Sequence, residues 1–187
     1  MRTSEKSYDN GRTWTLRFKE FYQRVEHPGS VFSIAEGRNS APCEESPEFR
    51  QLDFWVGEWV VKNPEGREVG KSSIRRTIGD CVIFENYTGL RGYEGKSFNV
   101  YNKTLGKWQQ FWVDNRGEVL EFVGEYANGQ MLYKGVSTDS SGNDIMHRMI
   151  LNGLNNQRIL QVWDQSTDKG KKWKTVFEGH YELLKEE

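Results

Sequence analysis

Four side chains are the first candidates for chemistry: Glu85, His147, His180 and Cys81. Glu85 closes the run Cys81-Val82-Ile83-Phe84-Glu85, where alternation sets it on one face with Cys81 and Ile83. Inside a barrel such a carboxylate keeps its proton to higher pH and can act as a general base. On an outer wall it is an ordinary solvated Glu. His147 alternates with Ile145 and Met149, which makes it either an inward base or a satisfied buried imidazole. Cys81 has no base beside it in the sequence and reads as a small buried hydrophobe rather than a nucleophile. Cys43 and Cys81 are the only cysteines and make no disulfide framework, so both are expected as free thiols of a cytoplasmic protein. No set of His, Cys, Asp and Glu has zinc-ligand spacing, so no metal site is expected. His27 sits among prolines and glycines and is given no role.

A second group of residues suits binding. Trp108, Gln110, Trp112 and Asp114 share one face of a strand, and Gln109, Phe111 and Val113 share the other. Ser97, Asn99 and Tyr101 fall together, as do Gln161 and Trp163. Faces that mix polar and aromatic side chains suit a cavity for a ligand with apolar and polar parts. The same alternation also describes outward faces with half-exposed rings. The working expectation is that Asn99, Tyr101, Gln110, Trp112, Gln161 and Trp163 line a ligand cavity.

The elements that must hold these residues read as strands. Of 19 glycines, 16 lie between Gly57 and Gly179, and short alternating runs fill the intervals. They are 54–61, 97–101, 108–114, 119–126, 131–136, 145–151, 158–164 and 173–184, rich in aromatic and β-branched residues. Asn128-Gly129 signals a two-residue type I′ hairpin turn, and Asn115-Arg116-Gly117, Ser141-Gly142-Asn143 and Asn152-Gly153 punctuate similarly. The stretch 51–61 has some helical character, but its aromatics favour a strand. Successive hairpins with edges to hide predict an all-β, antiparallel up-and-down barrel of about eight to ten strands, a size that holds one small ligand. Two packed sheets without a cavity are the alternative.

Composition narrows the class. The formal net charge is −1, which leaves no electrostatic footprint for nucleic acid. No run of 18 apolar residues occurs, and the first residues have no apolar stretch of a signal peptide. Seven Trp, eight Tyr and ten Phe supply bulk for a core. Three of four prolines fall at 28, 42 and 47, which marks 25–48 as a linker between a segment 1–24 and a barrel 49–187.

Segment 1–24 repeats the end of the chain. At an offset of 159, Ser7, Asp9, Gly11, Trp14, Phe18 and Tyr22 meet Ser166, Asp168, Gly170, Trp173, Phe177 and Tyr181. Both copies read S-x-D-x-G-x-x-W, which predicts a hairpin turn. Its Asp accepts backbone N–H bonds, its Gly takes positive φ, and its Trp packs back on the Gly. The turn resembles the Asp-box of sialidases and other β-propellers. Two copies so far apart do not make a propeller, and no arginine cluster or Tyr nucleophile is evident. Asp9, Gly11, Trp14, Asp168, Gly170 and Trp173 are therefore expected to be structural.

The motifs F-W-x-G-E-W at 54–59, G-x-S-x-N-x-Y at 95–101, W-x-Q-x-W-x-D at 108–114, Q-x-W-x-x-S-x-D-x-G-x-x-W at 161–173 and F-x-G-x-Y at 177–181 run in order. Together they resemble a bacterial domain-of-unknown-function family related to the lipocalin-like (calycin) barrels. The resemblance covers most of 49–187 and implies a fold without an established activity. Through the lipocalin G-x-W it implies that Trp59 closes one barrel end with an arginine packed across it, for which Arg148 and Arg158 are the candidates. Nitrobindins, a similar barrel family, bind haem through a late-strand histidine. By that likeness His180 is a haem alternative, although no other nitrobindin motif is present, and no cofactor is expected. The leading expectation is a barrel that binds a small apolar or amphipathic molecule. An enzyme acting through Glu85 or His147, and a ligand-free module dimerising through the N-terminal hairpin, are the alternatives.

Overall fold

The computed structural model describes residues 2–20, 43–155 and 158–184. The chain divides into two units, Met1–Arg38 and Asn39–Glu187. The expected continuation of the N-terminal repeat through Phe21 and Tyr22, His27, and most of the expected linker lie outside the described residues.

The second unit is a closed barrel of ten antiparallel strands, which is the expected class at the upper end of the expected strand number. In chain order the strands are β3 (Gly57–Lys62), β4 (Glu68–Thr77), β5 (Val82–Gly89), β6 (Glu94–Asn102), β7 (Lys107–Asp114), β8 (Val119–Ala127), β9 (Gln130–Thr138), β10 (Asp144–Asn155), β11 (Arg158–Ser166) and β12 (Lys174–Leu183). Each pairs with its sequence neighbours, and β12 closes the ring on β3. Asn128 and Gly129 both have positive φ, 53° and 80°, as the type I′ reading requires.

Residues 51–56 are not a strand. A short helix α1 (Pro47–Arg50) and a single 3₁₀ turn (Asp53–Trp55) precede β3 and plug one end of the barrel. The spacing of Leu52 and Trp55 puts both side chains on one side of that turn, and both are completely buried. Trp59 donates from Nε1 to the Trp55 carbonyl at 2.9 Å, and Trp108 donates from Nε1 to Gln51 Oε1 at 2.9 Å. Phe49 meets Tyr101 edge-to-face with ring centroids 5.6 Å apart. Asp53 receives Arg76 at 3.3 Å, and Arg50 donates to the Asp80 carbonyl at 2.8 Å.

The free-thiol expectation is corrected as well. Cys43 and Cys81 form a disulfide that ties the segment ahead of α1 to the β4–β5 turn. Cys81 precedes β5 rather than lying on it. Their separation of 38 residues in sequence gave no hint, because the plug brings them together. With the thiols paired, the cytoplasmic expectation has no support from cysteine chemistry.

The first unit contains a hairpin of β1 (Arg2–Lys6) and β2 (Thr15–Glu20). Its turn repeats the main hydrogen bonds of the β11–β12 turn and adds one, from Thr13 Oγ1 to Asp9 at 2.6 Å, where the other turn has Lys172. Ser7 Oγ and Ser166 Oγ each donate to the following Asp at 2.8 Å, and each accepts the glycine N–H, at 2.8 and 2.9 Å. Thr13 N and Lys172 N each donate to that Asp at 2.8 Å. Trp14 and Trp173 donate to the carbonyls of Gly11 and Gly170 at 3.2 and 3.0 Å. Strand register repeats too: Ser4↔Phe18 then Glu5↔Leu16 in one hairpin, Trp163↔Phe177 then Asp164↔Thr175 in the other. Each bulge therefore falls at the same place, at Arg17 and Val176.

Candidate functional site

Above the plug the barrel holds a cavity of about 70 Å³. Alternation along the strands decides what reaches it. β7 sends Trp108, Gln110 and Trp112 inward, with Trp108 and Gln110 buried and Trp112 half-buried, and turns Phe111 and Val113 outward. β6 sends Ser97 and Asn99 inward, both buried completely behind the cavity wall, so Asn99 does not line the cavity as expected. β5 contributes Glu85 and Tyr87, β8 Leu120 and Phe122, β10 Met149, β11 Gln161 and Trp163, and β12 Phe177 and Tyr181. Tyr93 comes from the end opposite the plug. Two glycines make this possible. A Cβ at Gly95 would fall inside the Trp112 indole, and one at Gly70 would lie 2.6 Å from the Tyr87 hydroxyl. Each glycine leaves room for the aromatic side chain beside it.

Glu85 is buried, not on the outer wall. Its two oxygens each accept a serine hydroxyl, from Ser72 and Ser97, both at 3.0 Å. Burial pushes its pKa up to about 7, against the lowering effect of the two hydroxyls. Behind Ser97 the donors line up. Tyr133 O–H and Gln110 N–H both donate to Asn99 Oδ1, at 3.1 and 2.8 Å. Asn99 N–H donates to Ser97 Oγ at 2.9 Å. The chain of hydrogen bonds thus runs toward the carboxylate, an orientation that favours negative charge there.

The other expected site residues separate. Gln161 accepts the Tyr181 hydroxyl at 2.6 Å and donates toward Met149 Sδ at 3.0 Å. His147 is buried and satisfied, because Trp163 Nε1 donates to its Nδ1 at 3.1 Å. Indole is only a donor, so Nδ1 must be unprotonated and Nε2–H donates to Ser137 Oγ at 2.7 Å. Burial lowers its pKa, which keeps the imidazole neutral. It orients Trp163 and has no nitrogen left for a substrate. Trp59 and Tyr101 pack at the plugged end rather than on the cavity.

Arg148 is a correction. It is on the outer wall, where it donates to Asp164 at 2.8 Å and stacks over Trp173 at 4.5 Å. Alternation from the inward His147 and Met149 forces it out. Arg158 is exposed opposite Glu182, so neither arginine packs across Trp59. His180 also faces outward, bonded to Glu178 at 2.9 Å, and cannot present a ligand inside the barrel. Among the described residues no group of three or more His, Cys, Asp or Glu is placed to hold a metal. No helix in those residues is long and apolar enough to cross a membrane.

Tyr87, Tyr93, Phe122, Met149, Phe177 and Tyr181 were not anticipated as lining. Period-two extension from Glu85 reaches Tyr87, and extension along F-x-G-x-Y reaches Phe177 and Tyr181 on one face. No family model matches the chain, and no curated protein is significantly similar to it.

Proposed function

We propose that this lipocalin-like barrel binds a small amphipathic molecule that enters at the end opposite the plug. One observation carries the reading: an apolar, ring-lined cavity has at its wall a polar cluster, Glu85, Gln110 and Gln161, already oriented by neighbouring side chains. Apolar walls with a few fixed polar groups are the usual make-up of small-molecule sites. The cavity admits a head group only. At about 70 Å³ it is under half the size of the roughly 150 Å³ cavity that takes up benzene, so the rest of a ligand must extend outward. Binding is preferred to catalysis because each oxygen of Glu85 is held by a serine and no second titratable side chain is hydrogen-bonded to it among the described residues. Native mass spectrometry of the full chain, purified from the organism that makes it, should show a bound small molecule that is lost on denaturation. Ligand-free protein, together with no response of tryptophan fluorescence to small amphipathic probes, would overturn the reading.

We also propose that the N-terminal hairpin mediates a homodimer, since Tyr8, Trp14 and Leu16 are exposed on it. Light scattering of the full chain tests this. A monomer at micromolar concentration overturns it.

A further inference from the structure

We propose that the head group bound beside Glu85 is a cation, a primary ammonium on an apolar tail. The inference rests on the binding reading above and names its ligand class.

Charge supports it first. Among the described residues Glu85 is the only Asp, Glu, Lys, Arg or His on the cavity wall. An anionic head group would place a second negative charge beside it with no counter-charge, at high cost in a poorly solvated site. A neutral head group leaves the carboxylate without a partner ion. An ammonium supplies that ion.

Hydrogen bonding agrees. A carboxylate has about four acceptor positions, and two are taken by Ser72 and Ser97. Gln110 gives one of its two amide N–H groups to Asn99, and its Oε1 is a further acceptor at the wall. The site therefore offers acceptors to a donor-rich head group, and –NH₃⁺ has three donors and no acceptor.

The walls complete the argument. Tyr87 meets Phe177 at 90° with centroids 6.4 Å apart, and meets Trp112 at 6.4 Å. Trp163 adds an indole on the opposite side. Aromatic faces around one carboxylate attract cations through their quadrupoles. The volume favours –NH₃⁺ over bulkier substituted ammonium groups.

The experiment uses the full chain and three probes of one size: n-butylammonium, n-butanol and butyrate. Calorimetry should show the ammonium binding at least tenfold more tightly than the alcohol and butyrate not binding. Glu85→Gln should remove that tenfold preference while keeping alcohol binding. A second readout needs no variant. The groups facing Glu85 are Ser72 from β4, Ser97 from β6, Gln110 from β7, and the phenols Tyr87, Tyr133 and Tyr181. Those phenols stay protonated, their pKa values raised by burial and by the Glu85 charge. His147, bonded to Trp163, stays neutral. Glu85 is then the group that titrates, so ammonium affinity should rise about tenfold from pH 6 to pH 8 and binding at pH 6 should release a proton. Alcohol binding as tight as ammonium binding, or affinity flat in pH, overturns the cation and leaves the binding reading standing. No binding of any probe, with no ligand in the native spectrum, overturns both.

Discussion

The two ends of the barrel solve opposite problems with similar residues. At the plugged end Leu52, Trp55, Trp59 and Trp108 are almost wholly buried; Trp59 bonds to the Trp55 carbonyl and Trp108 to Gln51, while the Trp55 indole N–H is buried without a partner among the described residues. At the other end Trp112, Trp163 and Phe177 are only half-buried and stand around empty space. Aromatic content therefore does not separate core from site in this molecule. What separates them is whether a segment of chain fills the ring. The plug converts one end into core and leaves the other as a blind cavity.

The sharpest way to break that comparison is to remove a plug residue. Trp55→Ala should cost about 3–5 kcal/mol in urea denaturation, whereas Trp112→Ala should cost roughly 1 kcal/mol because part of the ring is already in water. Equal losses would mean that the plug is not the stabilising end. Next in size, Cys43→Ser with Cys81→Ser should cost about 4 kcal/mol by loop-closure entropy for a separation of 38 residues. Butylammonium affinity should change less than threefold, since the bond lies at the far end from the cavity.

Glu85 gives an effect of roughly 3 kcal/mol with a definite sign. Its carboxyl titrates near 4.5 when unfolded and is held up to about 7 when folded. Below 4.5 both states carry the proton and nothing is lost. As pH rises toward 7 the unfolded chain releases its proton first, so stability falls through that window. Glu85→Gln should remove this fall and be the more stable protein at pH 8. The quantity to measure is wild type minus variant. Asp9, Asp114, Asp139, Asp164, Asp168, Glu125 and Glu182 have lowered pKa values and push the other way in both proteins. The smallest effect belongs to the turn beyond β11. Trp173→Ala loses the bond to Gly170 and the contact with Arg148, and should cost about 1 kcal/mol by thermal melting.

Much of the fold was legible because strand alternation is a local property. β7 shows its two faces in seven residues, and Asn128-Gly129 specifies its turn without help from elsewhere. Strand β4 was missed. Its inward residues are Gly70, Ser72 and Ile74, and the first two are small because Tyr87 lies over Gly70 and Ser72 must reach Glu85. A strand shaped by its neighbours shows little pattern of its own. The plug was misread as strand because Phe54 and Trp55 are common to both structures, and only the ring they enter distinguishes them. Glu85 reads equally as a surface residue for the same reason. Its environment is built by Ser72 from one adjacent strand and Ser97 from the other, neither near it in sequence.

The seam between β12 and β3 has a consequence for how the chain reaches its form. Four residue pairs close the ring there, from His180↔Lys62 to Leu183↔Trp59, against nine pairs between β10 and β11. The pairs join residues more than 100 positions apart, so their loop entropy must be met before they return any stability. Until β12 is in place, β3 and β11 are both bare edges able to pair with another chain. Closure is then a slow, late step, and aggregation at high concentration competes with it. Refolding yield should fall with protein concentration more steeply than a barrel with a long seam would allow.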